Sequence, residues 1–187
     1  MPAMHIRDAT DADLEAITAI YAHHVRHGTG SFELEPPTEA QMRERRDAVS
    51  TAGWPWLVAE HAGRIAGFAY ANQYRPRPAY RYCVEDSVYV APDRQRTGAG
   101  RTLLGQLIRR CESIGARQMV AVIGDSANTG SIGLHLALGF EAAGILRDSG
   151  WKFGRWLDTV FMQRALGAGA GAPGTEDPGQ PERSRPR

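Results

Sequence analysis

Apolar positions along this chain alternate between two spacings, near 3.6 residues and two residues, the periods of an amphipathic helix and of a half-buried strand. His5 to Arg7 reads as a short strand. Thr10-Asp11-Ala12-Asp13 resembles a capping box, and Leu14, Ile17, Ile20 or Tyr21, and His24 or Val25 carry a helical stripe after it. Thr38-Glu39-Ala40-Gln41 caps a second helix running to about Ala52. Trp54 to Glu60 and Ile65 to Asn72 predict a hairpin around His61-Ala62-Gly63-Arg64. A strand from Tyr82 to Val90 leads to a helix from Gly100 to Ile114. Gln118 to Ile123 is a strand and Asn128 to Leu138 a helix. Strands near Ala142 to Leu146 and Leu157 to Arg164 close the series. The order βααβββαβαββ predicts an α/β fold, one mixed sheet with helices on both faces. Trp54, Trp56, Leu57 and Tyr70 are assigned to its core.

Length and composition narrow this picture. The chain has 187 residues, 42% of them apolar, enough for one good core, and residues 1–166 are assigned to one domain. Gly167 to Arg187 holds five glycines and four prolines with no aromatic or branched apolar residue, so 167–187 is expected to be a disordered tail. A formal charge of +1 argues against a general nucleic-acid binder. Cys83 and Cys111 form no C-x-x-C and imply neither a disulfide scaffold nor a zinc site. The six histidines include no H-E-x-x-H, and His23, His24 and His27 fall where a helix meets a loop, which favours surface or capping roles over a metal. No apolar run approaches the roughly twenty residues of a membrane span. Met1-Pro2-Ala3-Met4-His5 lacks the apolar region of a signal peptide. A cytoplasmic protein is expected, with no membrane or nucleic-acid partner and no metal.

The densest chemical signal lies where the strand Val84-Glu85-Asp86-Ser87-Val88-Tyr89-Val90 stops at Pro92 and a glycine turn opens a helix. The first amides of that helix lack carbonyl partners and face an anion favourably, and Gly98 and Gly100 allow close backbone approach. Such a junction suits a diphosphate. A Walker A loop is excluded because the chain's only lysine is Lys152. A dinucleotide fingerprint lacks its third glycine, since Gly98-Ala99-Gly100 continues as Arg101-Thr102-Leu103. The remaining pattern, Gln95-Arg96-Thr97-Gly98-Ala99-Gly100, resembles the pyrophosphate loop of the GCN5-related N-acetyltransferase superfamily, which holds acetyl-coenzyme A.

Asn128-Thr129-Gly130-Ser131 through Leu138-Gly139-Phe140 resembles the second half of that superfamily's cofactor site, with His135 where a tyrosine usually protonates the leaving thiolate. The chain is similar in particular to the phosphinothricin and methionine sulfoximine N-acetyltransferases, from about Ile6 to Leu166. The segments that carry this likeness include Thr29-Gly30-Ser31-Phe32-Glu33, Arg75-Pro76-Arg77-Pro78-Ala79-Tyr80-Arg81, Val84 to Val90, and Lys152-Phe153-Gly154-Arg155-Trp156. The resemblance implies acetyl-CoA as donor, held by Val88, Tyr89, Val90, Gln95, Arg96, Thr97, Gly98, Ala99, Gly100, Arg101, Asn128 and Ser131. It places the catalytic carboxylate at Glu85 and a second proton-moving group at His135, with Asp86 in support on the opposite strand face. It also implies a bulge in this strand, exposing the Val88 N–H to the thioester oxygen.

For the acceptor, Arg75 and Arg77 offer planar forks to carboxylate, phosphinate or sulfonyl oxygens, beside Tyr80. Phe32 supplies an apolar wall and Glu33 a contact for the ammonium group. A homodimer is implied, in which Phe32 or Lys152 serves the neighbouring site. The expected activity is acetyl transfer to the α-amino group of a small amino acid or analogue. A peptide N-acetyltransferase and a non-catalytic acyl-CoA sensor are the rival readings.

Overall fold

The computed structural model describes residues 4–172 and residue 174. Its elements follow the expected order: β1 (His5–Asp8), α1 (Leu14–His27), α2 (Glu39–Thr51), β2 (Trp56–His61), β3 (Arg64–Gln73), β4 (Cys83–Val90), α3 (Ala99–Ile114), β5 (Gln118–Gly124), α4 (Thr129–Ala137), β6 (Glu141–Lys152) and β7 (Arg155–Ala165). Seven strands form one sheet in the order β1-β2-β3-β4-β5-β7-β6. Among the described strands only β4 and β5 pair in parallel, joined through α3.

Period-two alternation divides each central strand between two cores. On β2, Trp56 and Val58 face Leu14, Ile17, Tyr21, Val25 and Met42 of α1 and α2, while Leu57 and Ala59 face the side covered by α3. Helix α3 places Leu103, Leu104, Leu107, Ile108 and Cys111 against Val84, Met119, Ala121 and Met162. Each fully buried leucine contributes about 1.5–3 kcal/mol relative to exposure. The Trp56 ring stacks on Tyr70 with centroids 4.1 Å apart, a packing role in line with its core assignment.

Local signals set the element ends. Thr38 caps α2, accepting from the Gln41 N–H. The Thr10 box opens a 3-10 turn instead of α1 itself, and its Asp13 takes two hydrogen bonds from Arg7, at 2.7 and 2.8 Å. The β2–β3 hairpin closes on Ala62 and Gly63, both at positive φ, which fits the right-handed strand twist. Phe153 and Gly154 close β6–β7 in the same way.

The sheet forks at its centre. The β4–β5 ladder ends at Asp86↔Ala121, whereas β4 stays paired with β3 to Gly67↔Val90 and β5 with β7 to Gly124↔Thr159. Ser87–Val90 and Val122–Gly124 therefore diverge with unpaired backbone between them. The Ala91 N–H bonds the Ala66 carbonyl of the β3 side, so by alternation the N–H groups of Val88 and Val90 turn toward the fork.

Three expectations change. The β3–β4 ladder runs without a register shift, so β4 carries no bulge there; the early end of the parallel ladder opens the sheet instead. Strand β6 continues past Leu146 to Lys152, through a register irregularity between Leu146 and Gly150. Residues 167–172, assigned to the tail, include a 3-10 turn at Gly169–Gly171 with Gly169 buried. The remainder of the expected tail, from 175 on, lies outside the described residues.

Candidate active site

The fork opens into a cleft of ≈ 680 Å³. One wall is β4 from Asp86 to Val90, the other is Ala121–Ile123 of β5, and the ends of α3 and α4 close it above. Gly98 caps α3 at φ 90°, a left-handed conformation that glycine adopts without a side-chain penalty. The first helical bond runs from Thr102 N–H to the Gly98 carbonyl, which leaves the N–H groups of Ala99, Gly100 and Arg101 ahead of it. Gly100 has a different reason: a Cβ there would meet Val90 Cγ2 at 3.3 Å and Leu134 Cδ2 at 3.4 Å, so its absence lets α3 seat against the cleft wall. Arg96, itself at φ 61°, and Arg101 line the cleft beside these amides, as does Gln95. Free amides, a helix N-terminus and two guanidinium groups match a diphosphate.

Asn128 begins α4 and accepts from the Ser131 N–H at 3.2 Å. Its loop is anchored by the buried Asp125, which accepts from Arg155 Nη2 at 2.7 Å. One turn after Ser131, His135 is almost fully buried on the cleft floor. Its Nε2 lies 3.0 Å from Asp86 Oδ2 and its Nδ1 2.7 Å from the Ser131 carbonyl oxygen. Burial opposes charge on this ring, but the bond to Asp86, its charge and the Ser131 carbonyl outweigh it, and the imidazole pKa is raised.

The other predicted cofactor residues sort clearly. Val88, Tyr89, Val90, Gln95, Arg96, Gly98, Gly100, Arg101, Asn128 and Ser131 all line the cleft. Thr97 does not line it; its hydroxyl holds the loop through the Arg94 carbonyl at 2.7 Å. Ala99 is buried beneath it.

Glu85 stands on the α1–α2 face of β4, opposite Asp86, and so on the other side of the sheet from His135. The structure does not join these two predicted catalytic groups. Burial pushes the Glu85 carboxyl up, against the pull of Arg75, and the neighbouring Asp86 adds to the rise. No hydrogen bond or ion pair among the described residues fixes its oxygens.

Arg75 is exposed, with its guanidinium 4.4 Å from the centre of the Tyr74 ring, and Tyr80 meets the same ring edge-on. Arg77 is exposed on this loop. Glu33 is not a free carboxylate: Arg45 donates to both its oxygens, at 2.7 and 3.2 Å, and the Tyr21 hydroxyl donates to Oε1 at 2.8 Å. It fixes its loop to α1 and α2, so the carboxylate expected to meet the ammonium group is already engaged by Arg45 and Tyr21. The Phe32 ring lies over Gly150 and Gly124 of its own chain. Lys152 likewise turns inward, with Nζ donating to the carbonyls of Gly28 at 2.9 Å and Ser31 at 2.6 Å. Within this chain both are engaged with the 28–33 loop, Phe32 at 38% exposure and Lys152 at 4%.

His24 was not expected here. Its Nε2 donates to the Val90 carbonyl at 2.8 Å, and burial lowers its pKa, so the ring is neutral and fixes the end of β4. Its place in the α1 stripe was visible in sequence; its partner 66 residues away was not. Among the described residues no group of His, Cys, Asp or Glu is arranged to hold a metal ion, and no helix is long and apolar enough to cross a membrane.

A forked mixed sheet, with a glycine-turn helix start on one prong and an asparagine-capped helix on the other, is the arrangement of an acyltransferase that draws on an acyl-coenzyme A donor, as its relatives bear out. The chain belongs to the acetyltransferase (GNAT) family, whose model matches residues 17–140. It is 59% identical over 167 residues to a phosphinothricin N-acetyltransferase of Alcaligenes faecalis, covering 89% of this chain and 85% of that protein. It is 44% identical over 169 residues to an L-methionine sulfoximine/L-methionine sulfone acetyltransferase of Pseudomonas paraeruginosa, covering 90% and 98%. Among solved structures, a phosphinothricin acetyltransferase from Sinorhizobium meliloti in complex with acetyl-CoA superimposes with a TM-score of 0.89 at 46% identity, covering 92% of this chain and 94% of that one.

Proposed function

We propose that this enzyme transfers an acetyl group directly from acetyl-CoA to the α-amino group of a small amino acid or analogue such as phosphinothricin, methionine sulfoximine or methionine sulfone, with Glu85 as general base. The observation that carries the reading is the free, half-buried Glu85 carboxylate with a raised pKa, placed on β4 just before its ladder with β5 ends. A free α-amino group has a pKa of about 7.7–8.0, so near neutrality it arrives mostly as ammonium and must lose a proton. A carboxylate whose pKa is raised toward that of the amine accepts the proton more readily. Arg75 and Arg77 stand on the loop that enters the Glu85 strand, where a compact anionic acceptor would meet them. The cleft amides and arginines supply the diphosphate site, and the Val88 N–H is the donor available to a thioester oxygen.

A dimer belongs to the same reading. Trp151, Phe153 and Trp156 are 56%, 54% and 57% exposed on the β6–β7 hairpin, and the first and last meet edge-on at 5.1 Å. Such a patch suits an interface between two copies. A cytoplasmic location completes the proposal.

The test is thiol release from acetyl-CoA with phosphinothricin, methionine sulfoximine, methionine sulfone, glutamate and a lysine-containing peptide. Rapid release with one or more of the first three is expected. Glu85→Gln lowers turnover by about 10²–10⁴-fold while acetyl-CoA binding is retained. A peptide acetylated faster than every amino acid, or a fully active Glu85→Gln enzyme, would overturn the proposal.

A further inference from the structure

The proton chemistry at His135 has an unusual constraint. Nδ1 faces a backbone carbonyl, which only accepts, so Nδ1 carries hydrogen. Nε2 faces Asp86 Oδ2, and Asp86 Oδ1 is buried with no hydrogen-bond partner. The ring is therefore the carboxylate's only hydrogen-bonded side-chain partner among the described residues. The two side chains are 4% and 2% exposed. With both ring nitrogens engaged and the ring buried, the imidazole cannot move toward a sulfur in the cleft without leaving Asp86, so a proton it gives up in place needs a carrier.

Ser131 lies between. It lines the cleft together with Asp86 and His135, it is half-buried, and its hydroxyl is 3.5 Å from His135 Nδ1. That distance is too long for a full hydrogen bond, but catalytic contacts of this kind commonly tighten only when the reacting complex forms.

We propose that Ser131 is a catalytic proton carrier, passing a proton from the buried Asp86–His135 pair to the thiolate that departs in acetyl transfer; this rests on the reading under Proposed function. In the step the Ser131 O–H bond breaks as an S–H bond forms. The Nδ1–H bond of the imidazolium, until then directed at the Ser131 carbonyl, breaks as the serine O–H is restored, and that hydrogen bond is given up until the ring is reprotonated. The thiolate and imidazolium charges disappear together, leaving a neutral ring beside the Asp86 carboxylate. Glu85 releases to solvent the proton it took from the ammonium, and the ring recovers one from solvent between turnovers. Asp86 is a positioning residue, orienting the ring and favouring its charged form.

The surrounding groups do not compete for this proton. Cys111 on α3, next to Asp86, is pushed up to about 12 by burial and stays a thiol. Asp125 on the cleft wall is paired with Arg155. On α1, His24 is held neutral on the Val90 carbonyl, and His27 lines the cleft mouth.

The experiment compares Ser131→Ala, Ser131→Thr and Asp86→Asn with the wild type in three readouts: kcat, acetyl-CoA Kd by calorimetry, and nitrogen NMR of the His135 ring in the enzyme without ligand. At saturating acetyl-CoA, Ser131→Ala is expected to lower kcat by about 100-fold, beyond any change in Kd, and Ser131→Thr to recover most of it. Asp86→Asn combined with Ser131→Ala is expected to be no slower than Ser131→Ala alone. The wild-type ring is expected to carry hydrogen on both nitrogens at neutral pH, and the Asp86→Asn ring only on Nδ1. An unchanged kcat in Ser131→Ala, a loss explained by weakened acetyl-CoA binding, or a singly protonated wild-type ring would overturn the relay. An active wild type with an unaffected Ser131→Ala variant sinks the relay alone; a wild type that releases no thiol with any acceptor sinks the reading beneath it.

Discussion

Two glycines separate the positioning of the 28–33 loop from the placing of its aromatic ring. Neither has a positive φ, so alanine suits both backbones and only space decides the outcome. At Gly124 an added Cβ would lie 1.9 Å from the Thr29 carbonyl oxygen and 2.8 Å from Phe32 Cε1. Ordinary contact begins near 3.4 Å, so the loop backbone must retreat by roughly 1.5 Å, an overpacking strain of about 1–3 kcal/mol. That retreat breaks the bond from Thr29 Oγ1 to the Gly124 carbonyl and pulls Gly28 and Ser31 from Lys152. Each of these three lost bonds adds about 1 kcal/mol, for a total near 4–6 kcal/mol. For a domain of this size that corresponds to a Tm lowered by roughly 8–24 °C. At Gly150 the three atoms nearest an added Cβ all belong to the Phe32 ring, and a ring at the end of a side chain can swing away. Gly150→Ala should therefore change Tm by less than about 4 °C, consistent with a repacking loss under about 1 kcal/mol. Both variants should raise the acceptor KM, because both displace Phe32. Calorimetric scans and thiol-release kinetics decide the matter. A Gly124→Ala enzyme with wild-type Tm and acceptor KM would refute the clamp, as would a Gly150→Ala loss of equal size.

Replacing Lys152 with methionine leaves the Gly28 and Ser31 carbonyls without their donor, and we expect a stability loss of about 1–3 kcal/mol by denaturant titration with a higher acceptor KM. Gly98→Val imposes a left-handed conformation on a β-branched residue at a cost of about 1–2 kcal/mol; acetyl-CoA Kd by calorimetry should rise about tenfold or more, and an unchanged Kd would remove Gly98 from the donor site. Asp13, held at about 2 by Arg7, stabilises the fold fully above its ordinary value of 3.8 and loses that contribution as pH falls from 3.8 through about 2. Asp13→Asn should therefore cost up to about 2 kcal/mol at neutral pH and flatten this part of the acid-unfolding curve. The rate should fall as acid protonates Glu85, at a pH above the ordinary glutamate value of 4.5, and Glu85→Gln should lose that limb from its kcat/KM profile.

The element order was legible because every helix and strand that builds the cores buries a periodic face. The second half of β6 was not. Arg147, Asp148 and Ser149 lie on a strand exposed along most of its length, where no buried face imposes alternation. The cleft was legible because backbone conformation makes it, and glycine and asparagine reveal conformation in sequence. The acceptor side was less so. Glu33 reads as a free carboxylate until the fold brings Arg45 and Tyr21 to it, and nothing local in sequence marks such a pairing. Alternation put Glu85 and Asp86 on opposite faces correctly, but which of them meets His135 depends on where α4 crosses the sheet.

The inward turn of Lys152 also bears on chemical durability. An enzyme that handles an activated thioester is bathed in a reagent that acylates exposed amines. Here the sole lysine of the chain is 4% exposed, with its nitrogen held on two carbonyls, and the other 21 basic side chains counted with it are arginines. A guanidinium remains protonated and does not attack thioesters under these conditions. The surface therefore offers its own acetyl donor no side-chain amine, and the protein can turn over its donor without slowly erasing its own charge.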